Sequence, residues 1–309
     1  MIPDFEVTIL GNTSSIPVHG RNHTSQVIRF GQELMLLDCG EGTQMQLRRY
    51  KIKSSKISNI FISHLHGDHY LGLIGLLSSY NLSKRTKPLT IFGPQGLDEI
   101  ITVSFRWSNT KLNYPLSFVQ TETTGLNLLL DNPQFTVHSF PLKHRLPTTG
   151  FLVSEKSGFR NLVKEKLLQN PISLEAIHSI RSGKDYEETD GSIVKVSDYA
   201  YPMHRLRKYA FCSDTIFDPN ITSYIKNVDL LYHESTFISD DQARAAETFH
   251  STSAQAGKIA SISGAKRLLL GHFSSRYVDL SQMLIEAKDV FSESILSEEG
   301  QTYSITSIE

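Results

Sequence analysis

Residues 63–69 read Ser63-His64-Leu65-His66-Gly67-Asp68-His69, which places four metal-binding side chains within six positions. Buried His and Asp need partners that a short turn rarely supplies, and a divalent cation supplies them. The apolar run at 57–62 reads as a strand, and an apolar helical stretch begins near Tyr70. The ligands therefore sit on a strand-to-helix turn, with His64 and His66 facing one ion and Asp68 and His69 a second.

The same design recurs along the chain. Short β-branched and apolar runs at 5–10, 34–37, 57–62, 89–92, 135–140, 209–212, 228–232 and 267–270 read as strands, and several end in polar side chains of a catalytic type. Residues 34–37 lead into Asp38-Cys39-Gly40-Glu41, and 135–140 into Pro141-Leu142-Lys143-His144-Arg145. Residues 209–212 lead into Ser213-Asp214-Thr215, 228–232 into His233-Glu234-Ser235-Thr236, and 267–270 into Gly271-His272. Strand ends thus converge on one edge, where α/β architectures place their chemistry. His144 and His272 are candidates to complete the two ions, and Asp214, with two carboxylate oxygens, is a candidate to bridge them. Helices are expected at 42–50, 71–80, 97–107, 253–262 and 280–291. Thr252 and Gln255 form a capping-box pattern that puts His250 just ahead of one of them.

Composition narrows the partners. With 31 basic against 32 acidic side chains there is no global polycation, so an anionic partner must be held by a local patch. Arg48, Arg49, Lys51 and Lys53 form the best such cluster. Cys39 and Cys212 lie far apart and outside any Cys-x-x-Cys spacing, which argues against a disulfide framework or a structural zinc site. The segment Met1-Ile2-Pro3-Asp4-Phe5 lacks a basic stretch followed by an apolar run, and nothing reaches 18 apolar residues. A soluble, cytoplasmic protein without a membrane span is the expectation. Residues 155–208 interrupt the strand pattern, with a helix expected at 162–169 and turn signals at Asn170-Pro171, Ser182-Gly183 and Asp190-Gly191. They read as an insertion in a core made of 1–154 and 209–309.

These motifs together resemble the metallo-β-lactamase superfamily, and within it the ribonuclease Z family, endonucleases that mature tRNA 3′ ends. The resemblance is carried by His64-x-His66-x-Asp68-His69, the stretch from Leu10-Gly11-Asn12-Thr13 to Arg21-Asn22, and Asp38-Cys39-Gly40-Glu41-Gly42-Thr43-Gln44. It continues through Pro141-Leu142-Lys143-His144-Arg145, His233-Glu234-Ser235-Thr236-Phe237, His250-Ser251-Thr252 and His272-Phe273-Ser274-Ser275-Arg276-Tyr277.

The resemblance implies a four-layer αββα sandwich with an inserted tRNA-binding arm at 155–208, and two zinc ions per chain. His64, His66 and His144 would hold the first ion, Asp68, His69 and His272 the second, with Asp214 bridging. His and carboxylate ligands also accept Mn or Fe. It further implies that Asp68 orients the attacking water and that His250, kept charged by Glu234, protonates the departing ribose oxygen. Lys143 and Arg145, beside a ligand, would meet phosphates or the exposed 3′ end, and Arg48 and Arg49 the acceptor stem. The substrate would be precursor tRNA, cut after the discriminator nucleotide to leave a 3′-hydroxyl on the tRNA and a 5′-phosphate on the trailer. A homodimer would let one chain's arm hold tRNA for its partner's site.

Two departures from the family pattern stand out. Arms in this family carry a Gly-Pro-containing tip, whereas the matching stretch here is Gln169-Asn170-Pro171-Ile172-Ser173, and Asn12 replaces a Thr-Gly type of turn. The rival readings are a metallohydrolase of small esters or phosphodiesters, which explains the ligands but not His250, Glu234 or the insertion, and a catalytically silent RNA-binding subunit. The second has no physical use for a costly cluster of unpaired His and Asp.

Overall fold

A computed structural model describes residues 3–156, 160–201 and 205–306, so residues 157–159 and 202–204 of the expected arm and Met1-Ile2 of the N-terminal segment lie outside the described residues. The first strands are β1 (Phe5–Gly11), β2 (Ser25–Phe30), β3 (Glu33–Leu37), β4 (Ile57–Phe61), β5 (Leu89–Gly93), β6 (Leu116–Gln120), β7 (Asn127–Asp131), β8 (Phe135–Leu142) and β9 (Thr148–Glu155). After them come β10 (Tyr186–Glu187), β11 (Ile193–Val194), β12 (Lys208–Cys212), β13 (Leu230–Glu234), β14 (Leu268–Gly271), β15 (Ser294–Leu296) and β16 (Thr302–Ser304).

All but β10 and β11, which pair with each other, form two seven-stranded mixed sheets, ordered β16-β1-β2-β3-β4-β5-β6 and β15-β14-β13-β12-β9-β8-β7. In β1 the alternation is direct: Phe5, Val7 and Ile9 are buried while Glu6 and Thr8 are partly exposed. The strands β3 to β6 are parallel, as are β12 to β15, so helices must carry the chain back between them. Leu73, Leu76 and Leu77 of the helix Gly72–Leu82, with Leu97, Ile101 and Phe105 of Leu97–Trp107, pack on Leu36, Ile60 and Ile91 of the first sheet. Ile259 and Ala260 of Ser253–Ser263 and Met283 and Ala287 of Ser281–Val290 do the same on Leu231, Leu268 and Leu270 of the second. The sheets face each other, with the Phe61 and Phe151 rings 5.5 Å apart and the Tyr209 hydroxyl donating to Gln26 Oε1. Helix, sheet, sheet, helix is the layer order.

Several boundaries shift from the sequence expectation, and two bear on the site and the inserted segment. The strand expected at 228–232 runs over Leu230–Glu234, because Asp229 turns back to accept from the Lys208 amide (2.8 Å) and the parallel register then pairs His233 with Cys212 and Glu234 with Gly271. Glu234 is thus the last residue of a central strand rather than part of a loop. The helix expected at 162–169 begins at Lys164.

The remaining compact unit contains Asn132–Phe135 and the described part of Glu155–Leu206. Short helices Lys164–Gln169, Leu174–Arg181 and Val196–Tyr199 and the β10–β11 hairpin enclose a small core of Ala176, Ile180, Val194 and Ala200. Ser173 caps the middle helix by accepting from the Ala176 amide. Leu168 and Leu174, on either side of Gln169-Asn170-Pro171-Ile172-Ser173, are exposed. Cys39 and Cys212 are buried free thiols, and no helix of the described residues is long and apolar enough to cross a membrane.

Candidate metal centre

Each site residue follows a strand or starts a helix. The chain leaves β4 through Ser63 and His64, and the helix Gly67–Tyr70 brings in Asp68 and His69. His144 follows β8, Asp214 follows β12, and His272 follows β14 with a left-handed backbone (φ 59°).

Three overlapping groups of ligand atoms result: His64, His66, His144 and Asp214; Asp68, His69 and His272; and Asp214, His250 and His272. In the first, Nδ1 of His66 lies 3.0 Å from Nε2 of His64 and 3.1 Å from Nε2 of His144. Those spacings suit one cation, since metal–nitrogen bonds of about 2.0–2.1 Å in a tetrahedron put ligand atoms about 3.3 Å apart. In the second, Nε2 of both His69 and His272 stands 3.4 Å from Asp68 Oδ2. Asp214 reaches both. Its Oδ2 is 3.5 Å from His64 Nε2 and 3.8 Å from His144 Nε2, and its Oδ1 is 3.3 Å from His69 Nε2 and 3.1 Å from His272 Nε2.

The outward nitrogens show why these rings are fixed. His144 Nδ1 donates to the Phe249 carbonyl (2.8 Å), His69 Nδ1 to Asp38 Oδ2 (2.7 Å) and His272 Nδ1 to Thr236 Oγ1 (2.9 Å). Ser63 Oγ donates to Asp38 Oδ2 (2.9 Å) and accepts from His64 Nδ1 (3.0 Å). When these rings are neutral, a proton on each Nδ1 leaves a lone pair on each Nε2, pointed inward. Among the described residues, the buried Nε2 atoms of His69 and His272 make no hydrogen bond despite the carboxylates beside them. Donor chemistry, spacing and orphaned nitrogens all fit divalent cations.

Electrostatics agree. Burial pushes His64, His66 and His144 below the usual imidazole range, so they are neutral and able to ligate. Burial opposes ionisation of Asp214, but His272, His69 and His64 outweigh it and hold the carboxyl well below its ordinary value. Asp68 is likewise depressed against its burial, chiefly by His69. Burial would lower His69, yet Asp214, Asp68 and Asp38 raise it well above normal, so cation binding must displace its proton.

A further imidazole stands beside the centre. The His250 ring is 5.0 Å from that of His144 and 5.4 Å from that of His272, and its Nδ1 donates to Glu234 Oε1 (2.9 Å). Glu234 also accepts from the Thr215 amide (3.0 Å), the Thr236 amide (3.1 Å) and Thr236 Oγ1 (2.6 Å). Burial disfavours a charged His250, but the Glu234 carboxylate overcomes it and raises the pKa to about 9. Phe249, in a left-handed conformation (φ 59°), ends the helix Gln242–Thr248, presents its carbonyl to His144 and starts His250 toward Glu234.

The centre opens into a cavity of ≈ 600 Å³, whose lining includes His66, Asp68, His144, Asp214 and His250. Arg145 lines it and donates to the Glu247 carbonyl (3.2 Å). Lys143 instead turns to Asp218, with Nζ to Oδ2 at 3.0 Å. Arg48 and Arg49 close the helix Thr43–Arg49, which carries them about 9 Å along its axis. Arg48 borders a separate cavity with Gln44 and Tyr80, and Lys53 another with Arg29 and Lys56. Asp38, Ser63 and Thr236 stand in the motifs read from the sequence but with no role assigned to them, and they orient His69, His64 and His272. Asp38 follows β3 as the ligands follow their strands.

A family model described as anti-Pycsar protein Apyc1 matches residues 5–114. Ribonuclease Z of Bacteroides fragilis (strain ATCC 25285) is 40% identical over 301 residues, spanning 97% of this chain and 99% of its own length. Ribonuclease Z of Phocaeicola vulgatus is 42% identical over 304 residues, 98% of each chain. The crystal structure of human tRNase Z, short form, matches with a TM-score of 0.70 at 29% identity, covering 97% of this chain and 99% of that one.

Proposed function

Because the chain belongs to the ribonuclease Z family, hydrolytic nucleases of the metallo-β-lactamase fold, we propose that it removes the 3′ trailer of precursor tRNA. Cleavage after the discriminator nucleotide leaves a 3′-hydroxyl on the tRNA and a 5′-phosphate on the trailer. The observation that carries this reading is the pairing of His250 with Glu234 at 2.9 Å beside the metal centre. A small-ester hydrolase has no need of a charged imidazole there, whereas the 3′ oxygen of ribose is a poor leaving group that needs a proton.

His64, His66 and His144 would hold one cation and Asp68, His69 and His272 the second, with Asp214 within reach of both. Zinc suits this donor set, and Mn or Fe also satisfies it. Two such ions, when bound, polarise the phosphoryl group and lower the pKa of water. Asp68, also at the cavity wall, orients that water by accepting its proton. The new bond joins the water oxygen to phosphorus, the P–O3′ bond breaks, and the His250 proton passes to O3′. Arg145, at the cavity wall, meets backbone phosphate as a fixed positive charge. The unit containing residues 155–206 holds the tRNA body, two chains assemble so that each arm serves the other's centre, and the enzyme works in the cytoplasm.

One defined precursor tRNA with a short trailer tests the proposal. Incubated with metal-loaded protein, it yields tRNA ending in a 3′-hydroxyl at the discriminator and a 5′-phosphorylated trailer, and chelation abolishes both. Efficient hydrolysis of small esters with the precursor left intact would overturn the assignment.

A further inference from the structure

We infer that the RNA strand crosses the cavity in one direction, with the tRNA end under His250 and the base of the first trailer nucleotide against an apolar wall of Ile16, Pro17 and Leu71. This rests on the reading of His250 as proton donor and adds to it the residues that grip the leaving strand.

The lining is mixed in chemistry. Arg145 follows His144, and the His250 ring stands 5.0 Å from that of His144. Ile16, Pro17 and Leu71 also line the cavity, Leu71 three residues beyond Asp68. Leu71 follows the helix that carries Asp68 and His69 and lies over Gly67, so close that a Cβ on that glycine would stand 2.8 Å from Leu71 Cδ1. The loop bearing Ile16 is tied down through Ser15, whose carbonyl accepts from His23 Nε2 (3.2 Å). His23 in turn packs on Gly40 next to the Asp68 backbone, for a Cβ on Gly40 would meet Asp68 O at 2.3 Å and His23 Cβ at 2.4 Å. The wall is therefore anchored to the metal-binding turn. Yet Ile16 is 54% and Leu71 50% exposed. Scattered exposed aliphatics are ordinary, but several on one wall of a polar cavity mark a surface to be covered.

The chemistry identifies what covers it. The bond that breaks is P–O3′, and the proton for O3′ comes from His250, so the discriminator ribose lies at that side. The phosphate stays on O5′ of the trailer, whose first nucleoside must lie elsewhere. Phosphates are drawn toward Arg145, whereas the carboxylate of Glu41, which also lines the cavity beside His23, repels them. What the apolar wall accepts is the uncharged face of an unpaired base, the part of a single strand that side chains cover without regard to sequence.

The test uses the metal-loaded enzyme and an Ile16→Ala, Leu71→Ala double variant on three precursor tRNAs: intact, abasic at the first trailer nucleotide, and abasic at the discriminator. The variant is expected to lose about tenfold in kcat/KM on the intact substrate, in the range typical of lost apolar contacts in a pocket. On the trailer-abasic substrate the wild type falls to the variant's level and the variant loses nothing more, while the discriminator-abasic substrate leaves the deficit in place. Equal deficits on intact and trailer-abasic substrates, or none at all, would overturn the inference, and a deficit that vanishes only on the discriminator-abasic substrate would reverse the direction. Metal content and melting temperature identify a variant that fails to fold. In that case the wild type alone decides, since equal rates on intact and trailer-abasic RNA leave the wall without a role. A wild type that cuts no precursor tRNA defeats the proposed function itself, a distinct outcome.

Discussion

Thr236 Oγ1 donates to Glu234 Oε2 at 2.6 Å while accepting from His272 Nδ1 at 2.9 Å. One hydroxyl thus joins the metal centre to the carboxylate that charges His250. Replacing Thr236 by Val keeps its shape and removes both bonds, freeing the His272 ring and leaving a Glu234 oxygen with one donor fewer. Metal affinity should fall by about 10- to 100-fold, the usual consequence of losing an outer partner of a ligand. Titration with a competing chelator checks this, and unchanged affinity would show that His272 is held by other means.

Asp214→Ala is expected to be the most damaging ligand substitution. The carboxylate has one oxygen near His64 and His144 and the other near His69 and His272, so its loss disturbs both groups together and leaves four imidazoles facing one another. Elemental analysis should find neither metal retained after dialysis. Two metals bound with normal turnover would exclude a bridging role.

Removing the inserted unit separates RNA binding from chemistry. Its small core of Ala176, Ile180, Val194 and Ala200 shares no residue with the two cores that flank the sheets. Deletion should weaken precursor tRNA binding strongly and leave hydrolysis of bis(p-nitrophenyl) phosphate largely intact. Equal loss on both substrates would mean that the segment supports the catalytic unit.

Much of this site is legible in the amino-acid sequence because its chemistry obeys a local rule: strand after strand ends in the side chain it delivers. The rule covers His64 after β4, His144 after β8, Asp214 after β12 and His272 after β14. It does not give the roles of Ser63, Thr236 or the Phe249 carbonyl, which depend on partners such as Asp38 for Ser63 and His144 for Phe249. The fold shows the same division. Strands with clear alternation are readable, but β9 carries Gly150 at a point where a Cβ would strike the Phe140 ring at 2.4 Å, and β6 and β7 are half-exposed strands with weak apolar runs.

The proton donor can be told apart from the ligands by its dependence on leaving group and pH. His250→Ala should keep its metals and bind precursor tRNA nearly normally, yet cleave it about 10² to 10⁴ times more slowly. The defect should be much smaller on an aryl phosphodiester, because p-nitrophenolate departs without a proton. A general acid acts in its protonated form, so the wild-type rate on RNA should fall as pH rises through the His250 pKa. Protein groups alone set that value at about 9, and cations bound near the ring bring it lower by repelling the imidazolium. Glu234→Gln removes the charge that favours the protonated ring, and must therefore shift the alkaline limb toward acid. A limb that stays in place in Glu234→Gln, or a His250→Ala variant that loses metal or is impaired equally on both substrates, would place His250 in the metal shell and require another source for the proton.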